Sequence, residues 1–223
     1  WTCKHMNDNK YQNAVVYANN KFYSVGSMSG GGASIKHSTD GENWTTIDDV
    51  DNVSIGSNPM GRLIFANNMF VAASGSSTIY YSTNGTTWNS TGHSVSDNNA
   101  RFVAIAYGNN KYVAMTDYGY SSTSTDGINW SQSSTTKLAS SSGGSTVNAH
   151  YADMVFGNGI FVFVGHYRHN PSTSYIWYSS DGASWQSKST DFGTGCLGSG
   201  TCNIDAVSGI AYGTLNISEY PAP

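Results

Sequence analysis

Several aromatic residues in this sequence stand near asparagine, aspartate and serine, a combination that can bind sugars. An aromatic ring stacks on the face of a pyranose ring, while nearby polar groups hydrogen-bond its hydroxyls. Trp177 stands where Lys36, Tyr80 and Ser122 stand in the other copies of a repeat described below. The alternative is that these rings pack between repeats. The candidate sugar-binding residues are Tyr118, Tyr120, Tyr167, Tyr175 and Trp177.

Two polar clusters have the residue types of metal ligands but not their spacing. Residues 48–52 hold three aspartates and an asparagine, without the spaced ligands of an EF-hand loop. His166 and His169 offer two imidazoles, and the sequence indicates no third ligand for zinc. We therefore expect no metal site and no cofactor.

The cysteines bear on the compartment of the protein. Cys196 and Cys202 bound a short loop, which predicts a disulfide between them and leaves Cys3 unassigned. Three pairings are open, and unpaired buried thiols are the alternative. Together with a low charge and a Ser/Thr-rich composition, the predicted disulfide favours an oxidising, extracellular setting.

Six Asn-x-Ser/Thr sequons provide acceptors for N-linked glycans, although about five are expected by chance from this composition. One of them, Asn84, takes the place of an aspartate in a repeated turn described below. The remaining candidate glycosylation sites are Asn43, Asn52, Asn89, Asn129 and Asn216.

The composition narrows the class of protein. Of the 223 residues, 11% are charged, against about 25% in an average domain, and the net charge is −4. This balance argues against nucleic-acid binding, which needs clustered Lys and Arg. No apolar run approaches the length of about 18 residues that indicates a membrane span. Abundant Tyr, Thr and Val with scarce Lys and Glu favour strands over helices, and the sequence predicts an all-β protein.

An internal repeat organises the chain. Its first element is a pair of apolar runs around Asn-Asn or Asn-Gly, residues that accept positive φ, and this pattern predicts a tight β-hairpin. The four copies occupy residues 15–26, 63–72, 105–114 and 154–163.

The second element, which we call the box, reads Ser-x-Asp-Gly-x-x-Trp and is predicted to be a turn. Its Asp side chain accepts backbone N–H bonds, its Gly takes the left-handed conformation, and its Trp packs back onto the sheet. The boxes are residues 38–44, 82–88, 124–130 and 179–185. Their key residues are Asp40, Gly41 and Trp44; Asn84, Gly85 and Trp88; Asp126, Gly127 and Trp130; and Asp181, Gly182 and Trp185.

The box resembles the Asp-box, or bacterial neuraminidase repeat, although Gly follows Asp directly and Asn84 replaces one Asp. The resemblance implies a single β-propeller domain over 1–223. The expected domain has four full four-stranded blades, at about 11–48, 60–91, 101–133 and 150–189. A partial fifth blade is predicted from residues 1–9 and 204–223. Residues 210–213 match the start of a unit, and Trp1 matches the last strand of one.

The same family includes sialidases, so the resemblance also directs attention to their catalytic machinery: clustered arginines, a Tyr–Glu pair and an acidic general acid. The chain offers Arg62, Arg101 and Arg168. Its glutamates, however, are only Glu42, inside a box, and Glu219. A retaining glycosidase needs two carboxylates about 5–5.5 Å apart, for which Asp153 and Asp205 are the candidates. The set is incomplete, and we expect no catalytic activity.

The sequence thus predicts a non-catalytic, extracellular β-propeller that serves as a structural or adhesive surface subunit. The split fifth blade, the unassigned Cys3 and the low charge favour self-association. Strand completion between subunits would then give a homo-oligomer or a filament. The alternatives are a glycan-binding, lectin-like propeller and a sialidase-like glycoside hydrolase.

Overall fold

A computed structural model describes residues 10–29, 32–47, 60–75, 77–133, 138, 153–167 and 170–189. These residues form strands, tight turns and irregular connections, and none of them is helical. The predicted all-β class is therefore confirmed. Over the same residues, no helix is present that could cross a membrane.

The described strands form four antiparallel sheets of four strands each, joined in chain order. Sheet 1 comprises β1 (Lys10–Ala18), β2 (Lys21–Met28), β3 (Ala33–Ser38) and β4 (Thr45–Thr46). Sheet 2 comprises β5 (Met60–Ala66), β6 (Met69–Ser74), β7 (Ile79–Ser82) and β8 (Asn89–Ser90). Sheet 3 comprises β9 (Phe102–Gly108), β10 (Lys111–Thr116), β11 (Ser121–Ser124) and β12 (Ser131–Gln132). Sheet 4 comprises β13 (Asp153–Gly157), β14 (Ile160–Tyr167), β15 (Asn170–Ser179) and β16 (Gln186–Ser189).

Each sheet begins with the same two-residue hairpin. In sheet 1 the turn residues Asn19 and Asn20 have φ values of 50° and 60°. Asn-Asn turns with the same conformation join the first two strands of sheets 2 and 3, while sheet 4 uses Asn158 and Gly159. Turns with positive φ at both positions match the twist of the flanking strands, which is why these short loops hold a regular register.

Successive sheets pack face to face, and each contact buries an apolar core. Because side chains alternate along a strand, each middle sheet uses one face for the preceding sheet and the other for the following sheet. In sheet 2, Leu63 and Phe70 pack against sheet 1, whereas Ile64 and Val71 pack against sheet 3. We call the face that packs against the preceding sheet the receiving face, and the face that packs against the following sheet the covering face.

The predicted fifth blade falls outside the described residues. Residues 1–9 and 204–223, which were expected to form it, lie outside the described part of the chain, as do residues 150–152. The blade count and the split between the termini therefore stay predictions. The described sheets extend over residues 10–46, 60–90, 102–132 and 153–189.

Candidate functional site

The first box turn is held by a short network of side-chain and backbone hydrogen bonds. The Asp40 Oδ1 atom accepts the backbone N–H of Glu42 at 2.8 Å and that of Asn43 at 2.7 Å. The Ser38 hydroxyl donates to the same carboxylate at 2.9 Å and accepts the backbone N–H of Gly41 at 2.9 Å. The polar groups of the turn are thus directed at its own backbone.

The other three boxes repeat this network. The Oδ1 atoms of Asn84, Asp126 and Asp181 each accept two backbone N–H groups at 2.7–2.9 Å. Each box Trp donates its indole N–H to the carbonyl of its box Gly, at 2.9 to 3.1 Å. Asn84 makes the same backbone bonds as the aspartates. In the first and third boxes, Asn43 and Asn129 add a bond to the second carboxylate oxygen.

These bonds stabilise the ionised carboxylates. The backbone N–H of Asn43 is the main cause that holds the pKa of Asp40 far below its usual range. The side-chain amide of Asn129 has the same effect on the pKa of Asp126, and the backbone N–H of Ser184 lowers the pKa of Asp181 to about 2. The shifts arise from local turn geometry, so they do not mark the boxes as catalytic.

The box glycine is the point where one sheet meets the next. Its φ lies between 75° and 77° in all four boxes. In sheets 2 to 4 this glycine is buried beneath a residue of the preceding covering face. A Cβ at Gly85 would overlap the Tyr23 ring, and one at Gly182 would overlap Val113. Gly41 of sheet 1 is exposed, and its nearest neighbour would be Phe22 of its own sheet at 3.7 Å.

The receiving face of sheet 1 is left uncovered at its hairpin end. Val15 is 58% exposed, whereas the residues at the same repeat position in sheets 2 to 4 are buried. These residues are Leu63 at 6%, Ile105 at 3% and Met154 at 5%. Tyr17 is 60% exposed. We call Val15, Tyr17, Phe22 and Gly41 the open face.

The limits of the open face are set by its neighbours. Ser24 and Lys36, further along the same side of sheet 1, are buried. Tyr11 is 66% exposed but lies on the opposite side, because a bulge between Gln12 and Ala14 shifts the register of β1 against β2. The open face is therefore a compact apolar surface around the first hairpin and the first box.

The aromatic residues predicted to bind sugars do not form an exposed platform. Trp177 is 1% exposed and packs on Phe163, with ring centroids 5.4 Å apart, in the core between sheets 3 and 4. Tyr120 is 7% exposed. For these two residues the structure shows the alternative given above, packing between repeats. Tyr118 is partly buried against the core between sheets 2 and 3. The side chains of Tyr167 and Tyr175 lie outside the described part.

The candidate catalytic groups are spread over separate elements. The Arg62 guanidinium donates to the Gly61 carbonyl at 3.1 Å, and the Arg101 backbone N–H donates to Asp117 at 2.8 Å. Asp153 caps the backbone N–H of Met154 at 2.9 Å, and Glu42 lies exposed in its box. Arg168, Asp205 and Glu219 lie outside the described residues. Among the residues the structure describes, no group of three or more His, Cys, Asp and Glu could hold a metal ion.

The predicted glycosylation sites lie partly within the described residues. Asn43, Asn89 and Asn129 are exposed, and the Nδ2 atoms of Asn43 and Asn129 donate to box carboxylates. The other predicted sites lie outside the described part of the chain: Cys3, Cys196, Cys202, Asn52, Asn216 and the acidic run 48–51. The open face was not among the predicted sites. Its only signal in the sequence is that Val15 and Tyr17 repeat the pattern of three buried inner strands.

The sequence matches no protein-family model and no curated protein. Several solved structures share its fold. YCF48 from Cyanidioschyzon merolae superposes with a TM-score of 0.60 at 13% identity, over 84% of this chain and 58% of that protein. The exo-β-1,3-galactanase of Phanerochaete chrysosporium, solved with β-1,3-galactotriose, gives 0.52 at 14% identity, over 79% of this chain and 48% of that one.

A third structure, the GH43 protein BlXynB of Bacillus licheniformis, gives a TM-score of 0.52 at 8% identity, over 83% of this chain and 42% of that one. The chain thus spans about half the length of these structures. The neighbours are β-propellers, and they support a propeller fold for the described sheets. Sequence identities this low support a shared fold and nothing about function.

The box glycines allow a matched test of sheet-to-sheet packing. Gly85→Ala places a methyl group in a left-handed residue and against the Tyr23 ring, so we expect a loss of about 2–5 kcal/mol in the free energy of unfolding. Gly41→Ala meets only the conformational cost, about 1–2 kcal/mol. Urea denaturation of both variants measures the difference. Equal losses would show that the preceding sheet does not constrain the glycine.

The box carboxylates predict a specific acid sensitivity. Their lowered pKa values contribute stability that is present above the unfolded value of about 3.9 and is lost as the pH falls through the folded value. In Asp126→Asn we expect a lower melting temperature than in the parent at pH 5 and a shrinking difference towards pH 2. Asn84→Asp is the reverse variant. We expect its melting temperature to exceed that of the parent at pH 5, and this gain to shrink towards pH 2. A pH-independent difference in either variant contradicts this assignment.

Proposed function

We propose that this chain is a non-catalytic structural or adhesive subunit of an extracellular surface that self-associates by blade completion. In this proposal the propeller has four full Asp-box blades, sheets 1 to 4. A fifth blade, built from residues 1–9 and 204–223, completes it within or between subunits. The observation that carries the proposal is the open face. Its three counterparts are each covered by a preceding sheet, whereas no sheet among the described residues covers Val15 and Tyr17.

The repeat itself defines what the open face accepts. In three copies of the contact, an apolar covering face lies over the inner strand and the box glycine. The same side-chain positions in sheet 1 carry Val15, Tyr17 and Phe22 and keep this apolar character. An exposed apolar surface rimmed by polar residues is typical of an interaction site. Because burial of apolar surface is favourable, we expect the open face to bind another blade-like element.

The chemistry of the boxes is consistent with a structural role. Their carboxylates, hydroxyls and indole N–H groups bond within the turn and so stabilise the scaffold. Burying the exposed parts of Val15 and Tyr17 contributes about 2–3 kcal/mol, which is small for a lasting complex. Strand completion has to supply the rest of the association energy. We therefore expect assembly to depend on protein concentration.

Substitution on the open face tests this proposal. Tyr17→Asp introduces a charge that must be desolvated on docking, so we expect the assembled mass seen by light scattering to fall to that of the monomer. Tyr11→Asp is the matched control, because it places the same charge on the same strand but on the opposite side. A parent chain that stays monomeric at all concentrations would contradict self-association. Equal effects of the two variants would contradict the open face as the surface that mediates it.

A second function is favoured by the exposed rings of Tyr11 and Tyr17, at 66% and 60% exposure. Such rings can stack on sugars, and one propeller of similar fold was solved with β-1,3-galactotriose. A glycan-binding role predicts that this trisaccharide perturbs intrinsic tyrosine fluorescence and that Tyr11→Ala removes the response. A trisaccharide that is cleaved would instead indicate a glycoside hydrolase.

A further inference from the structure

Two Asn-Gly sequences occur in the chain, and they lie in different kinds of turn. Asn84-Gly85 belongs to the second box, whereas Asn158-Gly159 forms the hairpin turn of sheet 4. An asparagine followed by glycine is prone to spontaneous deamidation, in which the backbone nitrogen of the glycine attacks the side-chain amide carbon. Glycine has no side chain to hinder this attack. The two turns differ in how far they expose the attacking nitrogen.

The box protects Asn84 from this reaction. The Gly85 N–H is buried and donates to the Ser82 hydroxyl at 2.8 Å, and the Tyr23 ring lies over the same glycine. The Asn84 Oδ1 atom accepts two backbone N–H groups at 2.9 and 2.8 Å, which holds the side chain in one orientation. Several hydrogen bonds must therefore open before the nitrogen can attack.

The hairpin turn of sheet 4 lacks this protection. Asn158 and Gly159 are both exposed, and nothing lies within 4 Å of a Cβ placed on Gly159. Within the part of the chain that the structure describes, neither the Asn158 side chain nor the Gly159 N–H makes a hydrogen bond. The Gly159 carbonyl accepts the Asn109 Nδ2 group at 3.4 Å, a contact that leaves the nitrogen uncovered. Solvent therefore reaches the reacting atoms of this turn.

We infer that Asn158 is a site of spontaneous modification, where deamidation through a succinimide gives aspartate and isoaspartate. The Gly159 nitrogen bonds to the Asn158 Cγ atom, and the Nδ2 group leaves as ammonia with the proton of that nitrogen. Water then opens the ring. Hydrolysis of the bond to Cγ gives aspartate, and hydrolysis of the bond to the main-chain carbonyl carbon gives isoaspartate. The reaction consumes one water and releases one ammonia.

The modification changes the turn in charge and in length. Both products carry a carboxylate in place of the neutral amide, and isoaspartate adds one atom to the main chain. A two-residue turn with positive φ at both positions fits the twist of its strands. The added atom therefore disturbs the pairing of Gly157 with Ile160, beside the packed rings of Phe156 and Phe161. This inference goes beyond the proposed assembly and does not depend on it.

The other three hairpins supply matched variants. Their turns read Asn-Asn followed by Lys or Met, so a side chain follows each asparagine. In sheet 3, Asn109 and Asn110 have φ values of 48° and 56°, which shows that this turn accepts asparagine at both positions. Gly159→Asn therefore keeps the turn and removes the reactive sequence. Asn68→Gly creates the reactive sequence in the hairpin of sheet 2.

The test is incubation of the folded full-length chain at mildly alkaline pH, followed by peptide mapping with mass spectrometry. We expect both products at Asn158 to accumulate at least about tenfold faster than those at Asn84, because only Asn84 needs several hydrogen bonds to open. Gly159→Asn should abolish the reaction at Asn158, and Asn68→Gly should introduce it at Asn67. In concentrated urea, Asn84 and Asn158 should react at similar rates.

A second variant tests the protection itself. Ser82→Ala removes the acceptor of the Gly85 N–H, so we expect faster deamidation at Asn84, while Ser124→Ala in the third box leaves that rate unchanged. If Ser82→Ala fails to fold by far-UV circular dichroism, the two hairpin variants decide. Equal rates at Asn84 and Asn158 in the folded chain overturn the inference. Reaction at Asn158 in urea but not in the folded chain also overturns it.

Discussion

The close approach at the box glycine governs how these sheets are assembled. The glycine adopts a left-handed conformation that closes the turn, and its missing side chain leaves room for Tyr23, Val71 or Val113 of the preceding sheet. A single backbone position therefore satisfies a local requirement and a packing requirement together. The backbone N–H bonds that the box Asp or Asn accepts fix the turn in the geometry that presents this glycine to its neighbour. The alternation of side chains along each strand then assigns one face to each neighbour.

A structure built in this way resembles a repeat protein in its energetics, because each sheet depends mainly on the contacts with its two neighbours. Three equivalent contacts are present among the described residues, on the receiving faces of sheets 2, 3 and 4. The receiving face of sheet 1 is partly exposed. The repetition supplies an internal reference for that face. Without Leu63, Ile105 and Met154 for comparison, the exposure of Val15 would be an unremarkable surface property.

The sequence predicted the strands and turns well because both depend on local chemistry. The two-residue turns require positive φ, which Asn and Gly accept, and each box makes its own hydrogen bonds. Four copies of each element were therefore sufficient to define the sheets. Exposure was harder to predict. Trp177 and Tyr120 were left between two interpretations, an exposed sugar-binding surface and packing between repeats. They lie in the cores, and the sequence could not decide this because the pattern of one strand does not reveal what a neighbouring sheet covers. Val15 was missed for the same reason, because it has the residue type of its buried counterparts.

The repetition of the same contact positions bears on how a gene for such a chain can gain or lose a unit. Every described contact between sheets uses the same positions, so a unit duplicated or lost in the gene would still meet its neighbours through a compatible surface. Asn84 accepts the same backbone hydrogen bonds as the aspartates of the other boxes, so the turn geometry does not require a charge at this position. A change in the number of units would then alter the curvature of the array and the way its ends meet, while the contacts between neighbouring sheets stay the same.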